Sequence, residues 1–343
     1  MDPSSGSKAG NRPAHKRTSV RVVAGLDAVL SAEDVGPVKS GSPPLDPDIS
    51  LDAALAGIIG ACLDHFVANW PALRCGNDVE SVHQMRVALR RLRACLSFAR
   101  RRFPACAALD AGAARARAVA TALGDARDWD VFRENIDSGP RDRLSGEPSF
   151  YALLDTVELR RARAYESARA LIAAPATRQF ALDLRQAAAR RVWREPNGDA
   201  DCPPSGAPGS ARVFAARTLD KLHRRAEKKC AGLADLAPEQ RHEARIALKK
   251  LRYAAEFFQT LFDNAAGAKA YLRTLAKIQE CLGADNDLAT ANRLIGAIVA
   301  GDDGKTALAA GFLRGWQAHA QEERLAVNKK NERIVKKLEP FWR

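Results

Sequence analysis

Two basic segments of this chain follow one pattern at a fixed separation. VHQMRVALRRLRACLSF begins at Val82, and RHEARIALKKLRYAAEFF begins at Arg241. Setting His83 on His242 gives an offset of 159. The same offset sets Arg86 on Arg245, Arg90 on Lys249, Arg91 on Lys250 and Arg93 on Arg252. Further along, it pairs Leu123-Gly124 with Leu282-Gly283 and Asp128 with Asp287. Two separate motifs on one gapless offset point to an internal duplication, so the chain is expected to fold as two similar halves.

Each half reads as helical. Helical patterns run near 50–70, 80–103, 107–136, 149–174 and 176–193, then near 211–232, 238–263, 267–300 and 304–338. Strand-like alternation is absent from all of them. Aromatics are only 6% and alanine is abundant, which favours helices over sheet sandwiches. Apolar residues at 46% suffice for a sizeable core. Residues 1–48, rich in Ser, Gly, Pro and Asp, read as a disordered leader with a short helix near 20–30. The breaker-rich stretch EPNGDADCPPSGAPGS, 195–210, reads as a linker between a first half at 49–194 and a second at 211–343. No apolar run approaches the roughly 20 residues of a membrane span, so no membrane partner is expected. The N-terminal stretch has no apolar h-region, so no secretory signal is expected. Seven cysteines are scattered without a CxxC pair. That argues against a disulfide framework or zinc site and for a reducing cytoplasm.

On a helical wheel with His83 at zero, Arg86, Arg90 and Arg93 fall at about 300°, 340° and 280°. Met85, Leu89, Leu92, Leu96 and Phe103 fall between about 180° and 240°. One apolar stripe is thus flanked by a stripe of His and Arg. Arg91, at about 80°, lies apart. His242, Arg245, Lys249 and Arg252 repeat the arrangement above Leu248, Leu251, Ala255 and Phe262. The stripes hold almost no acids, so the i,i+4 ion pairs of an ordinary exposed helix are missing. Like charges this close repel unless an anion or partner compensates.

The net charge is +13, and residues 1–49 carry six basic and six acidic residues, so the whole excess lies in 50–343. Two such helices face to face would concentrate positive potential in a cleft, with Arg as a bidentate phosphate donor and Lys as a point charge. His83 and His242 are expected as neutral donors, their pKa pushed down by neighbouring cations. No second His or Cys lies at i+3 or i+4 to ligate a metal, and no catalytic Ser/His/Asp or Cys/His set follows from spacing.

VHQMRVALRRLRA followed by LGDARDWDV, and RHEARIALKKLRYAAEFF followed by LGADND, resemble the two halves of a CHAD domain, the conserved histidine α-helical domain. The closing PFW at 340–342 is also similar to the usual end of that family. The resemblance covers residues 50–343. It implies an all-α protein of two four-helix-type bundles, related by a pseudo-twofold axis, with a central basic cleft. It implies binding of inorganic polyphosphate, and in bacteria an association with polyphosphate granules; the reading adopted is binding without catalysis, in the cytoplasm. Carried over by position, the implied polyphosphate set is His83, Arg86, Arg90, Arg91 and Arg93, with His242, Arg245, Lys249, Lys250 and Arg252. Lys249-Lys250 stands where the first copy has Arg90-Arg91, which loosens geometric selectivity there without removing charge. No cofactor or metal is implied.

Polyphosphate has repeated negative charge and no bases, so its site needs cations but no stacking platform. Only Tyr253 lies near the stripe, where the first copy has Ala94, and this favours a phosphate polymer over nucleic acid. In LGDARDWDV and LGADND the carboxylates are read as helix caps or Arg partners. The alternative is that Asp125, Asp128, Asp130, Asp285 and Asp287 hold a divalent metal for phosphohydrolase or phosphotransferase chemistry. No P-loop or Walker-type lysine accompanies them. Lys277, Arg217 and Lys221 are candidates for a second tier around the cleft. Trp316, His319 and NKKNERIVKK at 328–337 are read as a packed terminal helix.

Overall fold

The computed structural model describes residues 36–41, 43–76, 78–194, 209–301 and 304–343, without the side chains of 284–286 and 320–326. The described residues are α-helical, with one isolated antiparallel bridge, Ser50 to Ser210. The helices are α1 (Leu51–Ala68), α2 (Trp70–Cys75), α3 (Val79–Arg102), α4 (Ala107–Ala122), α5 (Gly124–Asp137), α6 (Pro140–Arg143), α7 (Pro148–Ala173), α8 (Pro175–Arg190), α9 (Ala211–Cys230), α10 (Pro238–Phe258), α11 (Ala265–Val299) and α12 (Ala307–Lys336).

Local chemistry sets the helix starts. Asp78 caps α3, accepting from the N–H groups of Glu80 at 2.8 Å and Ser81 at 3.3 Å. Asn264 caps α11 through Gly267 N–H at 2.9 Å. Pro238, Pro148 and Pro175 occupy the first turns of α10, α7 and α8, where a missing N–H costs nothing. The 159 offset recurs in these starts: Val79 and Pro238 are 159 apart, and so are Pro148 and Ala307. α4 and α5 break at Leu123-Gly124, whereas α11 runs through the equivalent point for 35 residues, about 52 Å.

The halves do not each enclose a core of their own. The larger core joins α1, α3, α4 and α8 to α9, α10 and the first half of α11. The smaller joins Phe132 and Ile136 of α5 and Leu153 and Val157 of α7 to Ile295 and Ile298 of α11 and Leu313 of α12. Each core therefore draws on both halves, and each large aliphatic buried this way contributes about 1.5–3 kcal/mol.

Three expectations need correction. The leader reading fails at Val38 and Leu45. Val38 N–H donates to Asn69 Oδ1 at 3.0 Å, and Leu45 is buried with its N–H donating to Thr260 Oγ1 at 2.8 Å. Residues 1–35, with the short helix read near 20–30, lie outside the described residues. The linker reading at 195–208 also lies outside them, but Gly209 and Ser210 are docked, with Leu51 N–H donating to Gly209 O at 3.1 Å. Finally, Leu51–Cys75 is long and apolar enough, at mean hydropathy 1.5, to pass the length and composition test for a membrane span. It is mostly buried inside the protein. Its polar residues find partners there: Asp52 accepts from Trp193 Nε1 at 2.9 Å, and Asn69 Nδ2 donates to His65 O at 2.8 Å.

The closing PFW packs as a plug. Phe341 and Trp342 are buried against Tyr271, and Trp342 Nε1 donates to Asp220 Oδ1 at 3.0 Å. Asn328, Asn331 and Val335 are buried, so the end of α12 is packed, but Val327 and Trp316, read as part of the packed helix, are exposed.

Candidate functional site

α3 turns Val82, Met85, Leu89, Leu92 and Leu96 inward, and all are fully buried. The 3.6-residue period then places His83, Arg86, Arg90 and Arg93 on the flank. The first three are half-buried and Arg93 is exposed. α10 does the same: Ala244, Leu248 and Leu251 face the core, Arg245, Lys249 and Arg252 are half-buried, and His242 is exposed. The two helices pack on one another, and Arg90 and Lys249 meet where they do.

The electrostatic consequence is plain at Lys249. Burial, then Arg245 and Arg90, push its pKa from 10.5 down to about 7, with Asp287 opposing. Burial, then Arg127 and Arg90, likewise hold His83 below its ordinary value. Since the folded pKa of Lys249 lies below its unfolded value, folding releases a proton between about pH 7 and 10.5. Stability from this group is therefore full above pH 10.5 and lost as pH falls towards 7. Lys249→Met is expected to stabilise the ligand-free protein by on the order of 1–3 kcal/mol near pH 6.5, less near pH 9. Thermal unfolding at both pH values checks this. A gain that does not shrink at pH 9 contradicts it.

An open groove of about 870 Å³ lies between α3, α4 and α10. Arg90, Arg93, Arg100, Arg117, Lys249 and Lys250 line it. The small side chains of Ala94, Ala113, Ala114, Ala118 and Ala122 line it as well, with Ile246 and Tyr253. Its one lining carboxylate, Asp110, is already paired with Arg100. Arg117 is not foreshadowed by the sequence, because α4 carries no matching motif. Arg100 is within reach of it: the stripe 83, 86, 90, 93 continues through Ser97 to 100 at the same spacing. Beside the groove, Arg225 of α9 and Arg101 of α3 bear on Lys250, whose pKa burial lowers first. Arg217, Lys221 and Lys277 are not among the lining residues.

Arg91 is not on this face. It is buried between α3 and α10, paired with Glu256 at 2.6 Å and lying over the Phe257 ring at 5.1 Å. Glu256 also accepts from Arg252 Nε at 2.8 Å, and Arg252 Nη1 donates to Gln279 Oε1 at 3.0 Å. Position 97, the counterpart of Glu256, is Ser97, which lines the groove beside Lys250. The equivalent cations diverge with this difference: Arg91 pairs with Glu256 in the interior, while Lys250 lines the groove with Ser97.

The second motif supports the first. Arg86 Nη1 donates to Ala120 O at 2.7 Å, closing the end of α4. A Cβ on Gly124 would stand 3.2 Å from that nitrogen, and one on Gly283 would stand 3.9 Å from Arg245 Nη2. In both motifs the arginine lies near the glycine. Asp128 pairs with Arg293 at 2.9 Å. Asp130 is buried, accepting from Arg161 Nε and Tyr165 OH, both at 2.8 Å. Asp128 and Asp287 share a cavity of about 30 Å³, room for one water. Among the described residues no three His, Cys, Asp or Glu side chains form a metal-ligand set. The side chain of Asp285 lies outside the described residues.

The CHAD domain family model matches residues 57–296. The crystal structure of the CHAD domain from the plant Ricinus communis is similar at TM-score 0.72 and 29% identity, over 88% of this chain and 97% of that one. PptA from Streptomyces chartreusis shares the fold at TM-score 0.59 and 16% identity, over 84% of this chain and 100% of that one. No curated protein matches the sequence. Motifs, helical architecture and family match agree: the chain belongs to the CHAD domain family.

Proposed function

We propose that this protein binds inorganic polyphosphate in the groove between α3, α4 and α10, without catalysis. The observation that carries the reading is the lining: five cations remain beside the Arg100–Asp110 pair, which holds the one carboxylate among the described lining residues. The ligand set is Arg90, Arg93, Arg117, Lys249 and Lys250, with Arg100 at the rim. His83, Arg86, His242 and Arg245, from the same stripes, do not line the groove. Arg91 leaves the set, and Arg252 acts through its bonds to Glu256 and Gln279. The groove runs about 15 Å along α3 from Arg90 to Arg100, which suits an extended polyanion. Tyr253 is the one aromatic residue lining it, too few for a base-stacking track. Polyphosphate granules in the cytoplasm are the location this ligand implies.

Competition at fixed salt tests the reading. Polyphosphate is expected to displace a labelled polyphosphate probe at concentrations where RNA of equal charge does not. Equal displacement by RNA would make the groove a general polyanion site. Phosphate release from polyphosphate with magnesium would establish an enzyme instead.

A further inference from the structure

Where α3 carries Arg90, α10 carries a lysine, and the exchange alters how the groove answers to pH; the inference rests on the polyphosphate reading. We propose that Lys249 is the proton-coupled contact of the site: ligand binding loads a proton onto its amine, so the groove binds polyphosphate more tightly at mildly acidic than at alkaline pH.

The geometry isolates this lysine. It is half-buried at the meeting of α3 and α10 and lines the groove. From α10 itself Arg245 and Arg252 bear on it, from α3 Arg90, and from α11 Asp287. α4 brings Arg117 to the groove, and Arg225 of α9 bears on the adjacent Lys250. The 3-10 turn Gln259–Leu261 carries no charge. Three guanidinium groups thus bear on the amine, Arg252 already paired with Glu256, and Asp287 opposes them. Arginine cannot relieve the repulsion by deprotonating, whereas an amine can. The first copy has Arg90 at this position, so the exchange to lysine places a group that can shed its proton among guanidinium groups that cannot.

Near neutral pH the empty site therefore lets the amine go neutral, in line with its pKa of about 7. An anionic phosphate beside it reverses the balance, and the amine takes up a proton from solvent. One linked proton makes affinity fall by up to about tenfold per pH unit above that point. Below it the amine is already charged, and the dependence flattens.

Calorimetric titration of the full chain with long-chain sodium polyphosphate tests the coupling. The titration is run at pH 8 in two buffers of different ionisation enthalpy. The expected result is uptake of about one proton per site. Lys249→Arg, whose charge is permanent, is expected to bind with that uptake removed and with a flatter affinity profile between pH 7 and 9. Chain ends of the ligand titrate equally in both proteins, so the difference isolates Lys249. Wild-type binding with no proton uptake at pH 8 overturns the proposal. So does equal uptake by Lys249→Arg or, should that variant fold poorly, by Lys249→Met. Absence of binding to wild-type protein at any pH would instead defeat the polyphosphate reading beneath it.

Discussion

Reversing Arg93 and Arg117 together to glutamate is expected to lower polyphosphate affinity by at least about a hundredfold at physiological salt, with no change in helical circular dichroism. Both residues are exposed, and they bear on one another across the groove: burial first, then Arg117, lowers the Arg93 pKa. Their mutual repulsion is what an incoming phosphate chain would relieve. Each phosphate contact releases a condensed counterion, with a slope of about 0.7 per contact for a single-stranded polyanion. Loss of two contacts should make the salt dependence shallower by about 1.4. Exposed charges of this kind contribute little to folding, so the fold should survive. Equilibrium titrations of both proteins at several ionic strengths check the two numbers together. Unchanged affinity, or an unchanged slope, would remove the groove from the account.

Glu256→Ala is expected to destabilise the protein by about 3 kcal/mol or more, and to do so before any ligand is present. Glu256 joins α3 to α10 by receiving both Arg91 and Arg252. Arg91 is 7% exposed at its side chain, so losing the carboxylate leaves a guanidinium charge in a place where water cannot replace it. Arg252 keeps Gln279 and suffers less. Removing the charge as well, in Arg91→Met with Glu256→Leu, is expected to recover most of the loss, because a packed apolar pair is often as stable as a buried ion pair. Chemical denaturation of the single and double variants measures this. A single variant as stable as wild type would mean that Arg91 is not held as described.

Much of this is legible in the sequence because helices declare themselves through periodicity. The inward stripe Val82, Met85, Leu89, Leu92, Leu96 fixes the outward flank of α3, and the offset of 159 transfers it to α10. Other features depend on pairings far apart in the chain. Arg91 and Lys250 are equivalent by sequence, yet they part company through a glutamate at 256 and a serine at 97. The docking of Leu45 depends on Thr260, 215 residues away, and a leader composition conceals it. Arg117 enters the groove only because α4 packs beside α3. α11 reaches from one core into the other, while α9 and α10 bring the second half of the chain into the larger core.

A structure of the protein with tripolyphosphate is the most direct measurement. Phosphate density is expected along the groove between α3, α4 and α10, within hydrogen-bond reach of Arg90, Arg93, Arg117, Lys249 and Lys250. Density seated only on the outer basic stretch of α12, around Lys329 and Lys330, with the groove filled by water, would contradict it.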